Sequence, residues 1–193
     1  TREADIRAAN ETRPDYIGFV FAESRRRVTD EQAARLRALL SPGIQAVGVF
    51  VNDDPTHIAL LANRGVIDLI QLHGSESAAY IQRLRTMTAA PIICALRVGK
   101  QTDIKQAESN LVDFLLLDTY TKDAYGGSGR TFDWSLIGEV GKPHFLAGGL
   151  NESNIPHAMR TGAYALDLSS GIETDGVKDA EKMRRVAALV KGG

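Results

Sequence analysis

The sequence predicts an α/β fold, a (β/α)8 barrel, on three observations. Short β-rich runs alternate with helical stretches along the whole chain, the pattern that builds a parallel sheet. Several runs, Phe114-Leu115-Leu116-Leu117 most clearly, are apolar at every position, as parallel strands buried on both faces require. No linker, low-complexity tract or repeat divides the 193 residues, so one domain over 1–193 is expected.

The elements follow in order. A helix over 1–12 opens the chain, with Thr1 read as its N-cap and Glu3 and Asp5 in its first turn. The turn at Pro14-Asp15 feeds a strand over 16–21. Ala33, Leu36 and Leu40 mark a helix over 29–40, which Ser41-Pro42-Gly43 ends. A strand over 46–51 and a helix over 55–65 follow, with Pro55 at the start and Gly65 at the close. The pattern continues with strands at 68–72, 91–98, 114–117, 145–147 and 165–168. Helices are expected at 75–86, 102–109, 132–140, 151–160 and 178–190, with a long Gly-rich loop over 119–130. That makes seven strands and eight helical segments, helix first. A (β/α)8 barrel has eight of each and begins with a strand. The expectation is therefore a barrel whose first strand lies before Thr1, and an open doubly wound sheet is the alternative.

Composition narrows the function. A net charge of -1 with 24% charged residues gives no reason to expect a nucleic acid or anionic membrane as partner. No apolar run approaches the roughly 18–20 residues of a membrane span. The single cysteine, Cys94, rules out an intrachain disulfide and suits a reducing cytosol, so a cytoplasmic location is expected. Oligomeric state is open between monomer and homodimer.

In such barrels the loops after the strands carry the site. Gly148-Gly149 and Ser169-Ser170-Gly171 follow the last two strands. These are the loops that hold phosphate in this fold, through main-chain N–H groups and hydroxyls. Asp118 ends an apolar run, and a carboxyl beside apolar walls can donate a proton near neutral pH. The Gly126-Gly127-Ser128-Gly129 segment beyond it reads as a lid. Of Arg25, Arg26 and Arg27, one could pair bidentately with a substrate carboxylate while the others face water. His73 ends a strand as a structural or orienting histidine, and Cys94 sits mid-strand as an inert thiol. No spacing of His, Cys or carboxylates suggests a metal.

These segments resemble the phosphoribosylanthranilate isomerase family of tryptophan biosynthesis. The likeness runs along the whole chain. Ser24-Arg25-Arg26-Arg27-Val28 is similar to the family's Ser-Pro-Arg-aromatic-Val segment, with arginine in place of proline and of the aromatic residue. Gly48-Val49-Phe50-Val51-Asn52, Gln71-Leu72-His73-Gly74, Leu117-Asp118-Thr119 and Leu146-Ala147-Gly148-Gly149-Leu150 match as they stand. So does the stretch from Gly126 to Trp134, and Asp167-Leu168-Ser169-Ser170-Gly171-Ile172-Glu173 resembles the closing signature.

The resemblance implies an Amadori rearrangement of N-(5'-phosphoribosyl)anthranilate to 1-(2-carboxyphenylamino)-1-deoxyribulose 5-phosphate, without a cofactor. Asp118 takes the position of the general acid, and Arg26 that of the group holding the anthranilate carboxylate. Gly148, Gly149, Ser169, Ser170 and Gly171 would cradle the phosphate. His73, Gly127 and Asp167 lie in motifs that line the site. The family's general base is a cysteine on the first strand, expected just before Thr1. Alternatives are another sugar-phosphate-binding barrel enzyme or a non-catalytic phosphate-binding remnant. A related synthase would show lysines at strand ends, and an epimerase metal-binding histidines. A chain starting at Thr1 is expected to have negligible isomerase activity, since removing a positioned base costs ~10²–10⁴-fold. Phosphoribosylanthranilate fluorescence decay, followed beside a chain extended by about ten native residues, tests this; equal rates would sink it.

Overall fold

The computed structural model describes residues 1–98, 104, 111–119, 134, 137 and 140–192. The chain forms two compact units, Thr1–Cys94 with Asn110–Asp113, and Ala95–Ser109 with Phe114–Gly193.

In the first unit β1 (Tyr16–Val20), β2 (Gln45–Phe50), β3 (Leu69–Leu72) and the start of β4 (Ile92–Val98) pair in chain order. All pairs are parallel, with Tyr16 opposite Gln45, Val47 opposite Leu69 and Ile70 opposite Ile92. Parallel neighbours need a crossover between them. Helices α2 (Asp30–Ala38), α3 (Pro55–Asn63) and α4 (Ala78–Arg85) supply it, after α1 (Glu3–Thr12). Phe50, Ile58, Ile70, Leu72, Ile81 and Ile92 form the centre of the core, each worth ~1.5–3 kcal/mol of burial.

Local chemistry sets the helix starts. Thr29 accepts the Gln32 N–H, Asp54 the Thr56 N–H ahead of Pro55, and Ser77 the Tyr80 N–H. Two starts differ from expectation. Arg2 rather than Thr1 caps α1, because the Asp5 carboxylate reaches back to the Arg2 N–H at 2.9 Å. The helix expected from 75 begins at Ala78, because the Ser75 N–H and hydroxyl are engaged by Asn52 Oδ1 at 2.9 and 3.1 Å.

Two aspartates stand immediately before strands. Asp68 accepts the Ala46 N–H at 2.7 Å and Arg37 at 3.0 Å. Asp113 accepts the Ile92 N–H at 2.7 Å and pairs with Arg85. Each carboxylate thus joins the start of one strand and the helix before it to the residue that enters the next strand.

In the second unit β5 (Phe114–Thr119), β6 (His144–Leu146) and β7 (Ala165–Leu166) are parallel, with Leu115 opposite His144 and Phe145 opposite Ala165. Leu115, Leu116, Leu117 and Leu146 are fully buried. Strand order follows chain order within each unit, without the reversal that a doubly wound sheet requires. The α/β class holds and the doubly wound alternative does not.

The helix expected over 151–160 is instead α5 (Ile155–Ala158) followed by a 3-10 turn, Met159–Thr161. Pro156, lacking an N–H, fits only the first turn of a helix, and upstream Asn151 and Asn154 are taken up by the Gly149 carbonyl. The strand expected to reach 168 stops at Leu166, although the Asp167 N–H still bonds Leu146 O at 2.8 Å. A 3-10 turn, Ser170–Ile172, leads into an antiparallel hairpin, β8 (Glu173–Thr174) and β9 (Val177–Lys178). Its Asp175-Gly176 turn has φ of 52° and 77°, the positive pair that a type I′ hairpin needs. Lys178 therefore belongs to the hairpin, and α6 (Ala180–Lys191) starts after Asp179, which caps the Glu181 and Lys182 N–H groups. The helices expected at 102–109 and 132–140 lie outside the described residues, apart from Ile104, Trp134, Ile137 and Val140.

His57 joins two helix starts of the first unit. Its Nδ1 lies 2.9 Å from Asp53 Oδ2 and its Nε2 3.1 Å from both oxygens of Asp30. Its edge meets Phe21 and Phe50, which stack at 4.9 Å. Partial burial opposes its charge, but the bonds to Asp30 and Asp53 outweigh burial and raise its pKa above the ordinary 6.5. The folded chain thus binds this proton more tightly than the unfolded chain. The stability gained is fully present below the unfolded value and is lost as pH rises through the folded one. Replacing His57 with Gln should lower the melting temperature more at about pH 5.5 than at about pH 8.5. Equal losses at both would remove the ion pairs from the account.

Candidate active site

In the first unit Arg26 lies in the loop between β1 and α2. The loop is closed by Val28 N–H to Val20 O at 2.9 Å and Arg27 N–H to Ser24 O at 3.1 Å. The Arg26 N–H donates to Ser24 Oγ at 3.1 Å. Arg25 and Arg27 are exposed, Arg27 in an ion pair with Glu23, while Arg26 is half-buried. One arginine of the three thus differs from its neighbours in burial.

His73 follows β3 and is half-buried. Its N–H donates to Phe50 O at 2.8 Å, and its Nδ1 lies 2.9 Å from Nε2 of the buried Gln71. In this arrangement the Gln71 amide donates to His73 Nδ1 and orients the ring. Cys94, expected to be buried, is half-buried on β4. Burial first, and the Glu76 carboxylate second, push its thiol up, which keeps it protonated and a poor nucleophile.

The second unit holds Asp118, Asp167 and both glycine-bearing loops. Asp118 is half-buried near the end of β5, directly after three fully buried leucines. Gly148 and Gly149 follow β6 with φ of 87° and 67°, a left-handed path that glycine takes without steric cost. The Gly149 carbonyl accepts from the side-chain amides of Asn151 and Asn154, each at 3.0 Å. In a trans peptide the N–H lies opposite the carbonyl, so this pinning aims the Leu150 N–H the other way.

The loop after β7 is built similarly. Ser169 O accepts Lys178 Nζ at 2.8 Å, which turns the Ser170 N–H away from Lys178. Lys178 also pairs with Glu173 at 3.1 Å, a carboxylate only 4% exposed. At Gly171 an added Cβ would lie 1.9 Å from Leu150 O. No side chain fits there, and the two loops touch through their main chains. Gly127 and its 126–129 segment lie outside the described residues. Among the described residues no group of three or more His, Cys, Asp or Glu could hold a metal ion, and no helix is long and apolar enough to cross a membrane.

Comparison with known proteins decides the family. The model described as "N-(5'phosphoribosyl)anthranilate (PRA) isomerase" matches residues 1–188. The chain belongs to the PRA isomerase family. It is 45% identical over 191 residues to N-(5'-phosphoribosyl)anthranilate isomerase of Endomicrobium trichonymphae, covering 98% of this chain and 94% of that protein. Monomers generated from the dimeric phosphoribosylanthranilate isomerase of Thermotoga maritima superpose with TM-score 0.84 at 32% identity, covering 100% and 95% of the two chains. A PRA isomerase in complex with reduced 1-(o-carboxyphenylamino)-1-deoxyribulose 5-phosphate gives TM-score 0.84 at 31% identity, again covering 100% and 95%. The fold is accordingly TIM-barrel-like. The function is PRA isomerisation in tryptophan biosynthesis, as the sequence resemblance implied.

Some supports of these PRA isomerase loops escaped the sequence reading. Lys178 is expected at a helix start and Glu173 in the closing signature, yet Lys178 holds Ser169 and pairs with Glu173. The Asp175-Gly176 dipeptide was the available signal for the hairpin that positions them. Gly171→Ala should cost ~1–3 kcal/mol of stability through overpacking and weaken inorganic phosphate binding, read by denaturant unfolding and calorimetry. Unchanged values of both would show that the two loops do not depend on their contact.

Proposed function

We propose that Asp118 is the general acid of the PRA isomerase reaction and that substrate is held by Arg26 and by the two loops meeting at Gly171. The observation that carries the reading is the main-chain contact between those loops, each with a carbonyl pinned by side chains. Pinned carbonyls turn the following N–H groups into a preorganised set of donors for an anion. Gly148, Gly149, Ser169, Ser170 and Gly171 hold the phosphate in this reading.

Asp118 gives its proton to the furanose ring oxygen. The bond from that oxygen to C1' breaks, and the nitrogen lone pair closes a Schiff base. A base then takes the C2' proton, and the resulting enolamine tautomerises to the aminoketose. Cys94 fits that role poorly, because burial first and the Glu76 carboxylate second push its thiol up. Arg26 pairs with the anthranilate carboxylate through its planar fork, supported by its partial burial beside exposed Arg25 and Arg27. His73 and Asp167 line the substrate, and Gly127 belongs to a segment that closes over it. We place the reaction in the cytoplasm, without a metal or cofactor, in a monomer or homodimer.

Asp118→Asn keeps the size of the side chain and removes its proton. In the N-terminally extended chain it should lower kcat by ~10²–10⁴-fold, read as the decay of phosphoribosylanthranilate fluorescence, with the affinity for the reduced product analogue little changed. A near-normal kcat would take Asp118 out of the acid role.

A further inference from the structure

We infer that Glu76 is a positioning residue for His73, because its carboxylate ties the loop after β2 to the loop after β3. The inference rests on the reading of His73 as a residue that lines the substrate.

Glu76 sits ahead of α4, half-buried. Its Oε1 accepts the Asn52 N–H at 2.7 Å and its Oε2 the Gly74 N–H at 2.9 Å. One carboxylate thus satisfies two main-chain donors from two loops, in bonds strengthened by its charge. The Gly74 N–H belongs to the same peptide unit as the His73 carbonyl, so Glu76 fixes the backbone on the C-terminal side of that histidine. On the other side the His73 N–H is held by Phe50 O at 2.8 Å, and the ring by Gln71 at 2.9 Å.

Asn52 completes the tie. Its φ of 52° lies in the left-handed region, which asparagine tolerates better than most residues. That turn presents its N–H to Glu76, while its Oδ1 accepts both the Ser75 N–H and hydroxyl. Gly74 has no room for a side chain. A Cβ there would lie 2.6 Å from Asn52 Oδ1 and 2.8 Å from Glu76 Oε1. Strained backbone of this kind persists where its surroundings over-determine it, as they do beside functional groups. A carboxylate spent on main-chain N–H groups, rather than on a surface cation, buys geometry.

The charge of Glu76 reaches its neighbours. Burial first, then Glu76 with Asp53 and Asp54, push the Tyr80 hydroxyl up to about 12. Tyr80 donates to Asp53 O at 2.7 Å, so the same corner holds the loop after β2 from a second point.

The test is a double-mutant cycle between Glu76→Gln and His73→Gln. Glutamine matches the shape of glutamate but has one acceptor oxygen for two N–H donors. In the N-terminally extended chain, E76Q should lower kcat/KM by about 10- to 100-fold, the scale of a misplacement near 1 Å. It should cost little more in a chain that already carries H73Q. The ring ¹⁵N chemical shifts of His73 should also change in E76Q. Melting curves check folding, and if E76Q does not fold, Glu76→Asp, which can reach one N–H but not both, carries the same cycle. Losses that multiply independently, or unchanged rates in folded E76Q, would overturn the inference. A native rate in H73Q with altered ring signals in E76Q would overturn the reading of His73 itself, and that outcome is separable from the first two.

Discussion

Parallel pairing is the constraint on which the rest depends. Two strands that run the same way cannot be joined by a tight turn, so each is followed by a crossover that must return to the same end. The start of every strand then leaves main-chain donors to satisfy. Asp68 and Asp113 meet that need at two strand starts, each adding an arginine from a helix. With the starts fixed by carboxylates, the strand ends are left for loops. Arg26, His73, Asp118, the Gly148-Gly149 pair and the 169–171 segment all follow or end strands there.

The loops share a method of construction. Side chains seize carbonyls or N–H groups and so orient peptide planes, instead of pointing at the reaction themselves. Asn151 and Asn154 do this for Gly149, Lys178 for Ser169 and Glu76 for Gly74. A family whose reaction moves protons on a phosphorylated sugar needs donors held in place before substrate arrives. Residues two or more positions away from the groups they orient provide it.

Much of this was legible in the sequence, for reasons that differ by segment. β5 was readable because burial on both faces prints an apolar residue at each position from Phe114 to Leu117. Gly148 and Gly149 were readable because their left-handed path asks for glycine. α5 was overextended to 151 because Asn151 and Asn154, which look like part of a helix start, instead serve Gly149. The hairpin escaped because strands of two residues show no period. The supports were the least visible part. Asn52 and Glu76 stand 24 residues apart, and a bond from a side chain to a distant main chain leaves no pattern in composition or spacing. The family resemblance supplied the motifs, but not what holds them.

The contact at Gly171 has a consequence for how these loops could ever change. With a main-chain oxygen where its side chain would be, the segment after β7 has no clearance of its own from Leu150. The two loops then behave as one mechanical part: a residue inserted into either would displace both, and a new ligand shape would require their joint redesign. Change is therefore easier to introduce at the edges of that part than at its seam.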